Sequence, residues 1–131
     1  MPSRFTLQEA ESLLPQLTTI LTAMQGLKAE HDQHQAKLAE LRAKMKADGH
    51  LLGAELQEAR EGVARTAAEI NGLVQQIQEL GCELKDMDLG LIDFRAERDG
   101  REMYLCWKLG EERIGWWHDL HTGFASRQPL D

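Results

Sequence analysis

Two apolar seams with the same alternating three-and-four spacing constrain this chain more than any other feature. Leu17, Ile20, Met24, Leu27, His31, His34, Leu38, Leu41 and Met45 make the first seam. Leu52, Leu56, Ala59, Val63, Thr66, Ile70, Leu73, Ile77 and Leu80 make the second. Such spacing is the heptad signature of helices that pack along their length. The seams also fit each other. Facing residues of an antiparallel hairpin keep a constant sum of residue numbers, and Met45 with Leu52, Leu38 with Ala59, His31 with Thr66, Met24 with Leu73 and Leu17 with Leu80 all obey it. The sequence therefore predicts a long antiparallel coiled-coil hairpin that turns at Asp48-Gly49-His50. Helices of about 30 residues would make an arm on the order of 45 Å long. Leu14, Leu21, Ala67 and Val74 widen the stripe near the open end, whereas Lys28, Gln35 and Arg60 occupy the equivalent places further along. A wide stripe needs a third packing partner, so the C-terminal part is expected to pack at the open end.

Punctuation at both ends of the hairpin is readable. Thr6 is a good N-cap, Glu9 stands three residues on to complete a capping box, and Phe5 precedes the cap as a staple residue. Pro15 interrupts the helix it would otherwise sit in, which predicts a short helix over Leu7–Leu13 followed by a restart. Gly81 stands where a C-cap glycine belongs.

Composition changes at Gly81. Aromatic residues make up only 5% of the chain, yet all three Trp, the one Tyr, Phe94 and Phe124 follow that glycine. Short β-prone runs separated by glycine turns, Leu91–Phe94, Met103–Trp107 and Ile114–Trp117, predict a small antiparallel sheet of three or four strands. The fold class is thus α+β: a short N-terminal helix, a long helical hairpin and a C-terminal sheet. The whole chain, 1–131, reads as one domain, with the hairpin over 1–81 and a β subdomain over 82–131 packed at the hairpin's open end.

A net charge of −7 lacks the surplus of Lys and Arg that phosphate binding needs, which argues against nucleic acid and against an anionic membrane surface. No apolar run approaches the roughly 20 residues of a spanning helix, and MPSRFTLQEA is not a signal peptide, so a cytoplasmic protein is expected. Two cysteines without metal-finger spacing read as free thiols.

Three groups of residues could carry chemistry. His31 and His34 are the polar members of the first seam and read foremost as a register-setting pair, His31 facing the Thr66 hydroxyl and His34 packing on Ala59 and Val63. The run Trp117-His118-Asp119-Leu120-His121 offers imidazoles and a carboxylate, and Asp86, Asp88 and Asp93 add oxygen donors. These six, His118, Asp119, His121, Asp86, Asp88 and Asp93, are the candidate ligands for a divalent metal, the one cofactor the sequence suggests. Asp86-Met87-Asp88-Leu89-Gly90 is no calcium loop, because its glycine comes one place early and the closing Glu is missing. Tyr104, Trp116, Trp117 and Arg127 are candidates for a binding surface, the adjacent tryptophans pointing to opposite sides of a strand. A Cys106 nucleophile beside His118 is a further reading, without an oxyanion-hole motif to accompany it.

The strings Phe5-Thr6-Leu7-Gln8-Glu9-Ala10, Leu13-Leu14-Pro15, Gly90-Leu91-Ile92-Asp93-Phe94, Tyr104-Leu105-Cys106-Trp107, Gly115-Trp116-Trp117-His118-Asp119-Leu120 and Gly123-Phe124-Ala125-Ser126-Arg127-Gln128-Pro129-Leu130 resemble the small bacterial family catalogued as domain of unknown function 2203. The resemblance covers essentially the whole chain. It implies a bacterial cytosolic protein and brings no activity, substrate or catalytic residue with it. The leading expectation is a non-enzymatic module that self-associates as a homo-oligomer or engages a protein partner. Its rival is a small metal-dependent enzyme or metal sensor built on the C-terminal His/Asp cluster.

Overall fold

The computed structural model describes residues 4–48 and 52–130. Its elements are α1 (Leu7–Ser12), α2 (Leu14–Asp48), α3 (Gly53–Glu79), β1 (Glu83–Asp86), β2 (Leu91–Arg98), β3 (Arg101–Lys108), β4 (Trp116–Asp119), a 3-10 turn (Phe124–Ser126) and β5 (Gln128–Pro129). The fold is α+β, with α2 packed antiparallel on α3. The five strands form one antiparallel sheet in chain order. Among the described residues no helix is long and apolar enough to cross a membrane.

The expected capping box is present: the Glu9 amide donates to Thr6 Oγ1 at 3.1 Å and the Thr6 amide to Glu9 Oε1 at 2.8 Å. Pro15 falls in the first turn of α2, where its missing N–H has no intrahelical acceptor in any case. Gly81, at φ 93°, ends the α3 segment in a conformation that favours glycine. The turn expected at Asp48-Gly49-His50 lies, from Gly49 on, outside the described residues. The sheet has five strands rather than three or four. Both unforeseen strands are edges: β1 is charged and bulged, and β5 is two residues long and contains a proline, features typical of edges and weak as strand signals.

The chain divides into two compact units. One is Ala23–Leu73, whose described residues belong to α2 and α3 apart from Leu52. Here His31 Nδ1 meets Thr66 Oγ1 at 2.8 Å, the facing pair that the seams required. Thr66 is fully buried, its hydroxyl donating to the Gly62 carbonyl at 2.8 Å. His34 lies over Gly62, and its Nε2 meets Glu30 at 3.3 Å. A β-carbon on Gly62 would come within 2.5 Å of the ring. Arg65 bridges the two helices to Glu30.

The other unit takes the chain up to Thr22 and from Val74 on. Ile92, Phe94, Ala96, Met103, Leu105 and Trp107 form the buried face of the sheet. Phe5 docks on it, its ring edge-on to Phe94 at 5.5 Å and its amide donating to the Arg95 carbonyl at 2.7 Å. Glu11 of α1 accepts the Ile114 amide at 3.0 Å, tying the loop before β4 to the helix.

Candidate metal centre

Strand alternation decides which side chains meet. Ile92 and Phe94 point to the face that carries Phe5, so Asp93 between them points to the other. The register sets Asp93 opposite Cys106 on β3, and Tyr104, on the same face, opposite His118 on β4. Three neighbouring strands thus bring one carboxylate, one thiol and one imidazole together. Asp93, Cys106 and His118 are 2%, 0% and 2% exposed, and one ligand atom from each lies within 4.8 Å of the other two.

Hydrogen bonding fixes which ring nitrogen of the histidine faces the cluster. Its Nδ1 is 2.8 Å from the Asp119 carbonyl, which can only accept, so Nδ1 carries a hydrogen. Nε2 is then the nitrogen that faces the cluster, 3.0 Å from Asp93 Oδ2. Burial pushes the Asp93 carboxyl up, with the His118 ring pulling it back. The other carboxyl oxygen, Oδ1, is buried without a hydrogen-bond partner. Leaving such an atom unmet costs about 1–3 kcal/mol.

Burial also pushes the Cys106 thiol up to about 11, with the Arg127 guanidinium opposing the rise. Arg127 Nη1 lies 3.9 Å from Sγ. A thiol–imidazole nucleophile is not assembled here, because both nitrogens of His118 are committed, one to a carbonyl and one to Asp93. The same arrangement suits a metal ligand. Metal-bound histidines characteristically donate their second ring N–H to a carbonyl or carboxylate, which is the position of Nδ1. Donors around a tetrahedral zinc-sized ion stand roughly 3.5 Å apart for bonds of about 2.0–2.3 Å. Side-chain movements of about 1 Å from the present spacing would place the three donors at three of its four corners.

Of the six ligands suggested by sequence, the structure brings together His118 and Asp93. Asp119 follows His118 on β4 and so faces the opposite side, 3.8 Å from Arg101. His121 is exposed in the turn that follows. Asp86 accepts the Leu89 amide at 3.0 Å in the β1–β2 turn, where Asp88 also lies. The third donor, Cys106, reads in the sequence as a free thiol or a nucleophile and not as a ligand. The surface candidates flank the cluster: the Tyr104 ring is 5.4 Å from that of His118 with Lys85 5.1 Å from its centre, and Arg127 lies 4.6 Å from the Trp116 ring and 4.5 Å from Phe124. Trp117, on the other face, packs against Arg98 at 5.0 Å, and both tryptophans are half-buried.

Residues 3–130 match a family described as an uncharacterized conserved protein, DUF2203. The chain belongs to that family. The DUF2203 match includes all three donor strands, so the cluster is part of the family region and not of an appended segment. No curated protein and no solved structure matches the chain.

Proposed function

We propose that this DUF2203 protein is a metal-binding module whose centre takes a divalent d-block ion, with zinc as the type, on the Asp93 carboxylate, the Cys106 sulfur and His118 Nε2. The observation that carries the reading is the convergence of three different donors from three adjacent strands, among them a buried carboxylate whose Oδ1 makes no well-formed hydrogen bond. A mixed O, N and S donor set suits zinc and neighbouring metals and not magnesium or calcium. Near-complete burial favours a metal that senses or stabilises over one that turns over a substrate. A hollow of about 590 Å3, walled by Leu7, Met103, Ile114 and Leu130 among others, takes in none of the three donors. Equilibrium dialysis against zinc with elemental analysis tests the proposal. One ion per chain is expected, with affinity at least about tenfold weaker in Cys106→Ser, Asp93→Asn and His118→Ala. Failure of the folded protein to take up zinc at micromolar free metal would overturn it.

A protein-interaction or self-associating module is a second reading, supported by the helical unit. Leu27, Leu38, Leu56, Val63, Ile70 and Leu73 remain half-exposed along its seam, a surface that further helices from a second copy would cover. Sedimentation equilibrium decides it, a monomer at all concentrations excluding the homo-oligomer.

A further inference from the structure

We propose that Arg127 couples the metal centre to the C-terminal strap, so that loading the centre tightens residues 123–130. The inference rests on the metal reading above and extends it to what the metal would control. The strap is lightly held. From His121 to Leu130 only Phe124, Arg127 and Leu130 are half-buried, and β5 pairs with β4 through two residues alone. The Leu130 amide adds one bond to the Gly115 carbonyl at 2.9 Å.

Arg127 is the residue of the strap that reaches the donors. Its guanidinium packs against the Trp116 and Phe124 rings, and its Nη2 pairs with Glu111 Oε2 at 2.7 Å. That leaves Nη1 pointed at Cys106 Sγ, 3.9 Å away, with only a long contact to Glu111 Oε1 at 3.5 Å. Glu111 is itself anchored, since its Oε1 accepts the Lys108 amide at 2.8 Å and its carbonyl accepts the Trp107 indole at 2.9 Å. The guanidinium is thus held in a frame that sets Nη1 beside the sulfur.

Metal binding changes what that edge meets. The Cys106 S–H bond breaks, the proton leaves to solvent, and the sulfur forms its bond to the ion as a thiolate. A weak acceptor becomes an anionic one, and hydrogen bonds to charged acceptors are roughly twice as strong as neutral ones. The gain is realised only while the strap is closed, so metal binding favours closure. By linkage, closure favours metal binding by the same factor.

The test combines cobalt titration followed by absorbance with amide hydrogen exchange of Arg127 and Leu130, on the full chain and on Arg127→Met. In the wild type, saturating cobalt is expected to slow exchange of both amides about tenfold, and Arg127→Met to weaken cobalt binding by a similar factor. In Arg127→Met at saturating cobalt the exchange protection should vanish, while the sulfur-to-cobalt charge-transfer band persists and moves to lower energy as the sulfur loses its N–H donor. Arg127→Lys should restore part of both effects. Cobalt bound with unchanged strap exchange would overturn the coupling and leave the metal site standing. A wild-type protein that binds no cobalt or zinc would overturn the metal site itself.

Discussion

Removing either partner of the Asp93–His118 contact should have unequal consequences, and the inequality reports how the pair is charged in the metal-free protein. His118→Ala deletes two hydrogen bonds, at 2.8 and 3.0 Å, and leaves Asp93 with only the neighbouring Cys106 thiol in a site that is 2% exposed. A loss of about 3–5 kcal/mol follows from an abandoned buried ionisable group. Asp93→Asn keeps the shape. Because Nδ1 holds the ring hydrogen, Nε2 can accept from the asparagine amide, and no charge has to be buried. The expected loss is within about 1 kcal/mol. Urea unfolding in the presence of a chelator measures both, the variants shifting the midpoint with an unchanged slope. The pH dependence has a definite sign. Burial raises the folded carboxyl above its unfolded value of about 3.9, so the folded chain binds the proton more tightly. The resulting stabilisation is complete below the unfolded value and is lost as pH rises through the folded one. Asparagine has no proton to lose, so stability should move in the variant's favour, relative to wild type, across that window. An Asp93→Asn variant as unstable at pH 7 as His118→Ala would refute the reasoning and identify an ion pair whose attraction outweighs its desolvation.

The glycines of α3 give a contrast within one helix. Gly62→Ala drives a β-carbon to 2.5 Å from the His34 ring and should cost about 1 kcal/mol, whereas Gly72→Ala meets nothing within 4 Å and should gain about 0.5–1 kcal/mol. Thermal unfolding compares them, and restoration of stability in His34→Ala/Gly62→Ala would tie the cost to the ring. Both cysteines are pushed to about 11 by burial from an ordinary 9.0, so iodoacetamide at pH 8 should label neither until urea unfolds the chain. The raised values also stabilise the fold below pH 9, and that stabilisation, on the order of 2–3 kcal/mol per thiol, is lost as pH rises through about 11. Cys106→Ala should flatten its part of the alkaline loss, and rapid native alkylation would contradict the burial argument.

The helical part was legible because its signal is local and repeated. Each heptad restates the period, and the constant sum between seams sets the register. His31 and Thr66 meet as that sum requires. Seam spacing ignores the volume of what lies between seam positions, and Gly62, one residue off the seam, offers the space the His34 ring needs. The edge strands failed for the opposite reason. Two residues carry no period, and a charged edge strand reads as a turn.

The donor cluster shows where local reading misleads and where a longer-range argument would have worked. His118, Asp119 and His121 look like a ligand set because they are close in sequence, but on a strand adjacent side chains point to opposite faces, which separates the first two at once. The true neighbours of His118 are 25 and 12 positions away, at Asp93 and Cys106. Half of that arrangement was available. Asp99-Gly100 is a two-residue hairpin signal, and the structure has both residues at positive φ, 52° and 79°, as such a turn demands. Counting outward from that turn with the constant-sum rule that aligned the helices puts Asp93 directly opposite Cys106, as the sheet has it. The other half was not available. The β3–β4 connection over residues 109–115 is irregular, held by the Glu111 contacts and by the Ile114 amide on Glu11, a residue more than a hundred positions earlier. No short-range rule fixes the register across such a loop. The position of His118 beside the other two donors is therefore a property of the assembled unit, and it depends on the docking of α1 as much as on the strands themselves.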